Sequence, residues 1–247
     1  MIELLLFGLI TGFVSGFFGI GGGTILVPML ILSGFIIKEA IAISIMQMVF
    51  SSIYGSFLNA KKAKNIFKDG FILGVGGFVG GLQNSFVHSL VSNEFLQYLF
   101  IIIIVLSIIK IFISPAQSSQ EVKNHSKASL FIIGFIVGII AMSIGVGGAI
   151  MLIPLLVGVA KYPLKTATSL SLFFVIFSSI AGFISLSLAG QMLFYEGFIV
   201  GLASLVGVYF GIKIKNTTPI TSYKQSILFL NFLILITMIY DTFFKVS

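Results

Sequence analysis

The 247-residue sequence contains no cysteine and no arginine, and only 9% of its residues are charged. Without cysteine there is no disulfide, no thiolate metal site and no cysteine nucleophile. With 58% hydrophobic residues, the chain lacks the polar side chains needed to cover a soluble surface. It reads as an integral membrane protein. Apolar runs long enough to cross a hydrocarbon core of about 30 Å recur along its whole length, and no polar stretch between them is long enough for a soluble domain. Ionisable groups are scarce inside the runs: no Asp, Glu, Lys or His is expected mid-helix, and His88 and His125 are assigned to loops. A histidine proton relay and a metal centre are therefore not expected. The first run starts at Ile2 without a basic leader or a small-residue cleavage pattern, and is read as retained rather than as a signal peptide.

The 14 basic residues are all lysines, and they lie between apolar runs. Lysines so placed mark cytoplasmic loops, so they are read as topology signals and not as a nucleic-acid surface.

What the chain has in excess is a glycine motif that occurs twice. Gly19-Ile20-Gly21-Gly22-Gly23-Thr24-Ile25-Leu26-Val27-Pro28 returns as Gly145-Val146-Gly147-Gly148-Ala149-Ile150-Met151-Leu152-Ile153-Pro154, a shift of 126 residues. The register then moves to 127 and holds. Lys38 and Ala40 match Lys165 and Ala167, Phe50-Ser51-Ser52-Ile53 matches Phe177-Ser178-Ser179-Ile180, and Asp69-Gly70-Phe71-Ile72 matches Glu196-Gly197-Phe198-Ile199. Two homologous transmembrane repeats follow, 1–113 and 128–247, joined by the polar linker 114–127. Apolar runs and their breaks predict helices near 2–18, 23–36, 40–59, 69–87 and 94–113, then 128–144, 149–160, 165–188, 194–212 and 223–243. The expected fold is all-α: a polytopic membrane protein in which each repeat has a glycine-broken helix or helical hairpin followed by three transmembrane helices.

Lysine placement chooses between the two forms. If each motif segment crosses once, the chain has eight spans and its two faces carry eight and six lysines, with almost no bias. If each segment turns back at its glycines, twelve lysines fall on one face and only Lys38 and Lys245 on the other. The hairpin form is preferred, with lysine-rich loops in the cytoplasm and the repeats inverted.

Four glycines among Gly19, Gly21, Gly22 and Gly23 cannot hold a helix, since each costs about 1 kcal/mol and opens left-handed backbone. In hydrocarbon such a break survives only where it is buried in protein or lines a wet cavity. New half-helices start near Gly22 and Gly148, and a helix start presents unpaired N–H groups and about half a positive charge. Two such starts meeting from opposite sides favour a small anion, an arrangement found in secondary transporters. The candidate binding residues are Gly19, Gly21, Gly22, Gly23, Thr24, Gln47 and Ser51 in the first repeat, and Ser143, Gly145, Gly147, Gly148 and Ser178 in the second. Gln47 stands out because its counterpart is Phe174. Spaced glycines elsewhere also suit close helix packing. Asp69 and Glu196 occupy equivalent helix starts; they either complement the first turn or couple transport to a proton or sodium ion. Gln83 and Asn84 are read as marking a span end.

The residues Gly16-Phe17-Phe18-Gly19-Ile20-Gly21-Gly22-Gly23 with Pro28, and Ser143-Ile144-Gly145-Val146-Gly147-Gly148 with Pro154, resemble the TauE/SafE family of sulfite and organosulfonate exporters. The resemblance covers nearly the whole chain and implies a multi-pass permease of the bacterial plasma membrane that moves small sulfur-containing anions. Ala149 departs from the glycine run of the first copy. The expected function is secondary transport of small anions by alternating access, with an anion channel as the alternative. A membrane-embedded enzyme is disfavoured, because the spans lack clustered catalytic groups. No cofactor and no nucleic-acid partner is expected; the partners are the anion, a coupling proton or sodium ion, the lipid bilayer and, as a further candidate, a second copy in a homodimer.

Overall fold

The computed structural model describes residues 1–19, 21–59, 67–113, 126–158, 160 and 162–244. Most of the 114–127 linker and His125 lie outside these residues. Among the described residues every regular element is an α-helix: α1 Ile2–Phe18, α2 Gly23–Leu32, α3 Ile37–Asn59, α4 Phe67–Gly81, α5 Asn84–Leu90, α6 Asn93–Ile113, α7 Lys127–Ser143, α8 Ala149–Gly158, α9 Leu164–Leu188, α10 Phe194–Thr217 and α11 Ile220–Phe243. Helices dominate because each satisfies its own backbone polar groups where no water can.

Among the described residues six stretches are long and apolar enough to cross a membrane: 37–58, 68–90, 93–113, 166–188, 194–215 and 224–243. The half-helices α2 and α8 have ten residues each. That is about 15 Å at 1.5 Å per residue, half of a hydrocarbon core. Each is too short to cross it alone.

Three expectations need correction. The helix predicted over 69–87 is two, α4 and α5, separated by a turn at Leu82 and Gln83. Asn84 is therefore inside a candidate span and fully buried, not at a span end. His88 lies on α5, not in a loop, and is only 3% exposed.

Glycines set the helix packing. A Cβ on Gly8, Gly12 or Gly16 of α1 would lie 2.5, 2.1 or 2.4 Å from the carbonyl oxygens of Val200, Ser204 and Val208 of α10. The spacing of four brings one backbone against the other, the small-residue contact of membrane helices. The counterparts α7 and α4 do the same, with Gly134 and Gly138 against the carbonyls of Leu73 and Gly77 at 2.2 and 2.6 Å. Each repeat thus packs mainly on the other: α1 and α3 on α10, α7 and α9 on α4.

These contacts also fix the sense of each helix. Gly8 to Gly16 meet rising numbers on α10, and Gly197, Gly201 and Val208 of α10 meet Met46, Phe50 and Gly55 of α3 in turn. Hence α1, α10 and α3 run the same way. Between α3 and α9 the order reverses, Gly55 meeting Leu172 and Gly182 meeting Ile45. At the periphery Gln97 of α6 pairs with Asp241 of α11, and Lys224 of α11 donates to the Phe112 carbonyl of α6, so these two also oppose each other. Lys224 and the start of α4 fall at one end of the bundle, and Lys38, which donates to the carbonyls of His88 and Val91, falls at the other.

Candidate functional site

At both motifs the backbone takes one unusual path. Gly19, Gly21 and Gly22 have φ of 69°, 83° and 79°, and Gly145, Gly147 and Gly148 have 69°, 72° and 77°. Left-handed backbone costs an L residue about 1–2 kcal/mol, which is why glycine occupies all six places. Gly23 and Ala149 are outside this requirement, as each begins a helix. The departure at Ala149 therefore leaves the backbone symmetry intact.

The chain reverses at these glycines. The Gly19 N–H closes α1 on the Ser15 carbonyl at 2.8 Å, and the Gly22 carbonyl then accepts the first bonds of α2 from Ile25 and Leu26, both at 3.2 Å. The second copy repeats the start, with Met151 and Leu152 donating to the Gly148 carbonyl at 3.1 and 2.8 Å. N–H groups ahead of these bonds have no place in the helical ladder and face outward from the helix start.

The two tips meet in the middle of the bundle. The Ser44 hydroxyl donates to the Gly145 carbonyl at 2.7 Å, Thr24 reaches the Val146 carbonyl at 3.5 Å, and a Cβ on Gly23 would lie 2.1 Å from the Gly145 oxygen. Ser51 contacts the Gly21 carbonyl at 3.4 Å. Across the bundle Gly19 packs on Thr168 of α9 and Gly145 on Ile41 of α3, positions one repeat apart. Every described motif residue from Gly19 to Thr24 and from Ser143 to Ile150 is buried.

The tips differ in one side chain. Beside Gly22 stands Gln47, whose Oε1 and Nε2 lie 2.7 and 2.8 Å from where a Gly22 Cβ would be. Gln47 is fully buried and neither amide atom has a hydrogen-bond partner. Beside Gly148, at the equivalent place, stands the Phe174 ring, 2.5 Å from such a Cβ.

Not every candidate converges here. Ser143 and Ser178 donate back to Ile139 and Phe174 of their own helices at 2.8 and 3.2 Å. Asp69 and Glu196 lie in the first turns of α4 and α10. The Asp69 carboxylate accepts a hydrogen bond from Tyr162, and burial together with that carboxylate pushes the Tyr162 phenol well above its ordinary range.

Further groups outside the candidate set belong to the site. Ser44 bridges the tips, and the Ser15 hydroxyl is buried without a partner one turn before Gly19. On α5, the His88 Nε2 donates to the Ser143 carbonyl at 3.0 Å. Its counterpart one repeat later is Lys215, 5% exposed on α10. Both lie in the last turns of their helices, so the expectation that none sits mid-helix is not overturned, although both are buried. The shift of 127 that aligns the later landmarks also pairs 88 with 215, and was the available signal. Among the described residues no three His, Cys, Asp or Glu gather as a metal site.

The family described as Sulfite exporter TauE/SafE matches residues 4–238. The chain belongs to the TauE/SafE family. Among relatives, the probable membrane transporter protein YunE of Bacillus subtilis is 25% identical, the match covering 86% of each chain. The probable membrane transporter protein MJ0441 of Methanocaldococcus jannaschii is 31% identical over 81% of this chain and 75% of its own. No solved structure matches the chain. With its apolar helices and these relatives, the TauE/SafE chain is a membrane transporter.

Proposed function

We propose that this TauE/SafE protein is a secondary transporter that moves a small anion through the meeting point of the two glycine tips, by alternating access between inverted repeats. The observation that carries the reading is the contact of two half-helix starts, each held open by three left-handed glycines and each arriving from a different repeat. Helix starts attract negative charge without a buried cation. No lysine lies at the tips, which suits a small anion better than a large multivalent one. The opposed senses of α3 and α9 and of α6 and α11 support the inversion. The burial of both tips supports alternation over an open pore.

The family description, sulfite exporter, makes sulfite the first substrate to test, and the sequence resemblance adds organosulfonates. Asp69 and Glu196 are the proposed coupling groups for a proton or sodium ion. The protein resides in the plasma membrane with its lysine-rich loops in the cytoplasm.

The test is thermal unfolding of the detergent-purified protein with sulfite, sulfate, sulfoacetate, taurine, acetate and chloride, because a ligand of the folded state stabilises it by mass action. A concentration-dependent rise with a sulfur anion is expected. A rise with none of the six overturns the anion reading.

A further inference from the structure

Gln47 carries information about the ligand that the glycine backbone does not. It is fully buried, its two amide atoms touch the turn at Gly22, and both are without partners. A buried polar group left unpaired is costly, so an amide kept in such a place points to an occupant with matching groups. The amide is two-faced: Nε2 donates two hydrogen bonds and Oε1 only accepts.

An anion whose oxygens only accept satisfies Nε2 and the helix-start N–H groups but sets its negative oxygens against Oε1. A ligand that also bears an O–H or N–H satisfies both ends of the amide. The charge available at the tip limits the ligand further. A helix start supplies about half a positive charge, and no lysine lies within the motif or on α3 beside Gln47. A single negative charge matches that field and a double one exceeds it.

On the reading that the first tip is an anion site, we infer that it selects a monovalent oxyanion carrying its own hydrogen-bond donor, an O–H or N–H next to the anionic oxygens, and that Gln47 is the residue that selects it. The same geometry assigns one such site per chain. The second tip has the same backbone, yet the Phe174 ring fills the place of the amide and offers neither donor nor acceptor.

Matched ligand pairs test this in the full-length detergent-purified protein by calorimetry: hydroxymethanesulfonate against methanesulfonate, and glycolate against acetate. Within each pair the charge is equal and only the hydroxyl differs. The hydroxylated member is expected to bind about tenfold or more tightly, since a site built to bond a hydroxyl rejects the analogue without it. One molecule binds per chain, and in Gln47→Met the preference collapses towards unity. Equal binding of both members in the wild type overturns the inference and leaves the anion site standing. A preference that survives in Gln47→Met overturns the role of Gln47. Binding of none of the four overturns the anion-site reading and this inference with it. The wild-type comparison needs no variant, so failure of Gln47→Met to fold still leaves the ligand preference decided.

Discussion

At equivalent places in the two repeats, Gly22 faces an amide and Gly148 faces a phenyl ring, on backbones whose φ angles agree within 11° at every paired glycine. The turn is therefore independent of the side chain beside it. Left-handed glycines and close helix contacts make the turn, and the neighbour on α3 or α9 decides whether it is polar or dry. The two breaks share one backbone path, and the residue that the partner helix places beside each leaves a single polar tip. The Phe174 side pins the bundle by packing, and the Gln47 side keeps an unmet polar demand in the core.

That contrast is sharpest under truncation. Phe174→Ala removes a fully buried ring from the core and is expected to cost about 3–5 kcal/mol of stability, read as a fall in Tm in detergent. Gly148→Ala and Gly22→Ala come next. Each places an L residue at φ near 77° or 79° and drives its Cβ into a neighbour, with a loss of about 2 kcal/mol or more expected. Adding Phe174→Leu to Gly148→Ala, or Gln47→Ala to Gly22→Ala, should relieve the clash without relieving the backbone strain, so partial recovery is the expected outcome. Full recovery would mean that φ contributes nothing.

Gln47→Met has the opposite sign. Without ligand it should raise stability by about 1 kcal/mol or more, because it removes two buried atoms that have no partner, while transport falls. A fall in Tm of the unliganded variant would show the amide to be satisfied.

The smallest effect lies at the periphery, where the repeats also differ: Tyr162 bonds Asp69, whereas the counterparts are Phe35 and Glu196. Tyr162→Phe should cost about 1 kcal/mol. The phenol is held above its usual range in the folded protein. Its contribution is therefore complete below the unfolded value of about 10 and is lost as pH rises beyond it. The Tm of the wild type should fall more steeply above that pH than the Tm of Tyr162→Phe.

Much of the fold was legible because its signals are local. Apolar runs separated by glycine, proline and lysine place ten of the eleven helices among the described residues, and the repeat shift pairs them. The break between α4 and α5 escaped because Leu82-Gln83 is no stronger a breaker than many dipeptides; it is made by packing of α5 on α7 and α9. His88 and Asn84 were misplaced for the same reason, since a polar residue near the end of an apolar run looks interfacial until another helix covers it. At the site, the glycines, Thr24 and Ser51 were legible and the other hydroxyls were not. Ser143 and Ser178 turn to their own helices while Ser44, one turn before Gln47, bridges the tips, and that choice depends on which carbonyl lies within reach.

By itself the sequence determined what depends on composition and chain-local geometry: a membrane protein, because there are too few polar groups to face water; two repeats; and helix breaks where only glycine tolerates the backbone. It also determined that position 47 is an amide and position 174 a ring. Only the tertiary structure decided that each repeat packs on the other, that the two breaks touch, and that the Gln47 amide is sealed without a partner. Those outcomes depend on contacts between residues more than a hundred positions apart, where hydrogen-bond and van der Waals reach of a few ångströms selects partners that no local pattern encodes.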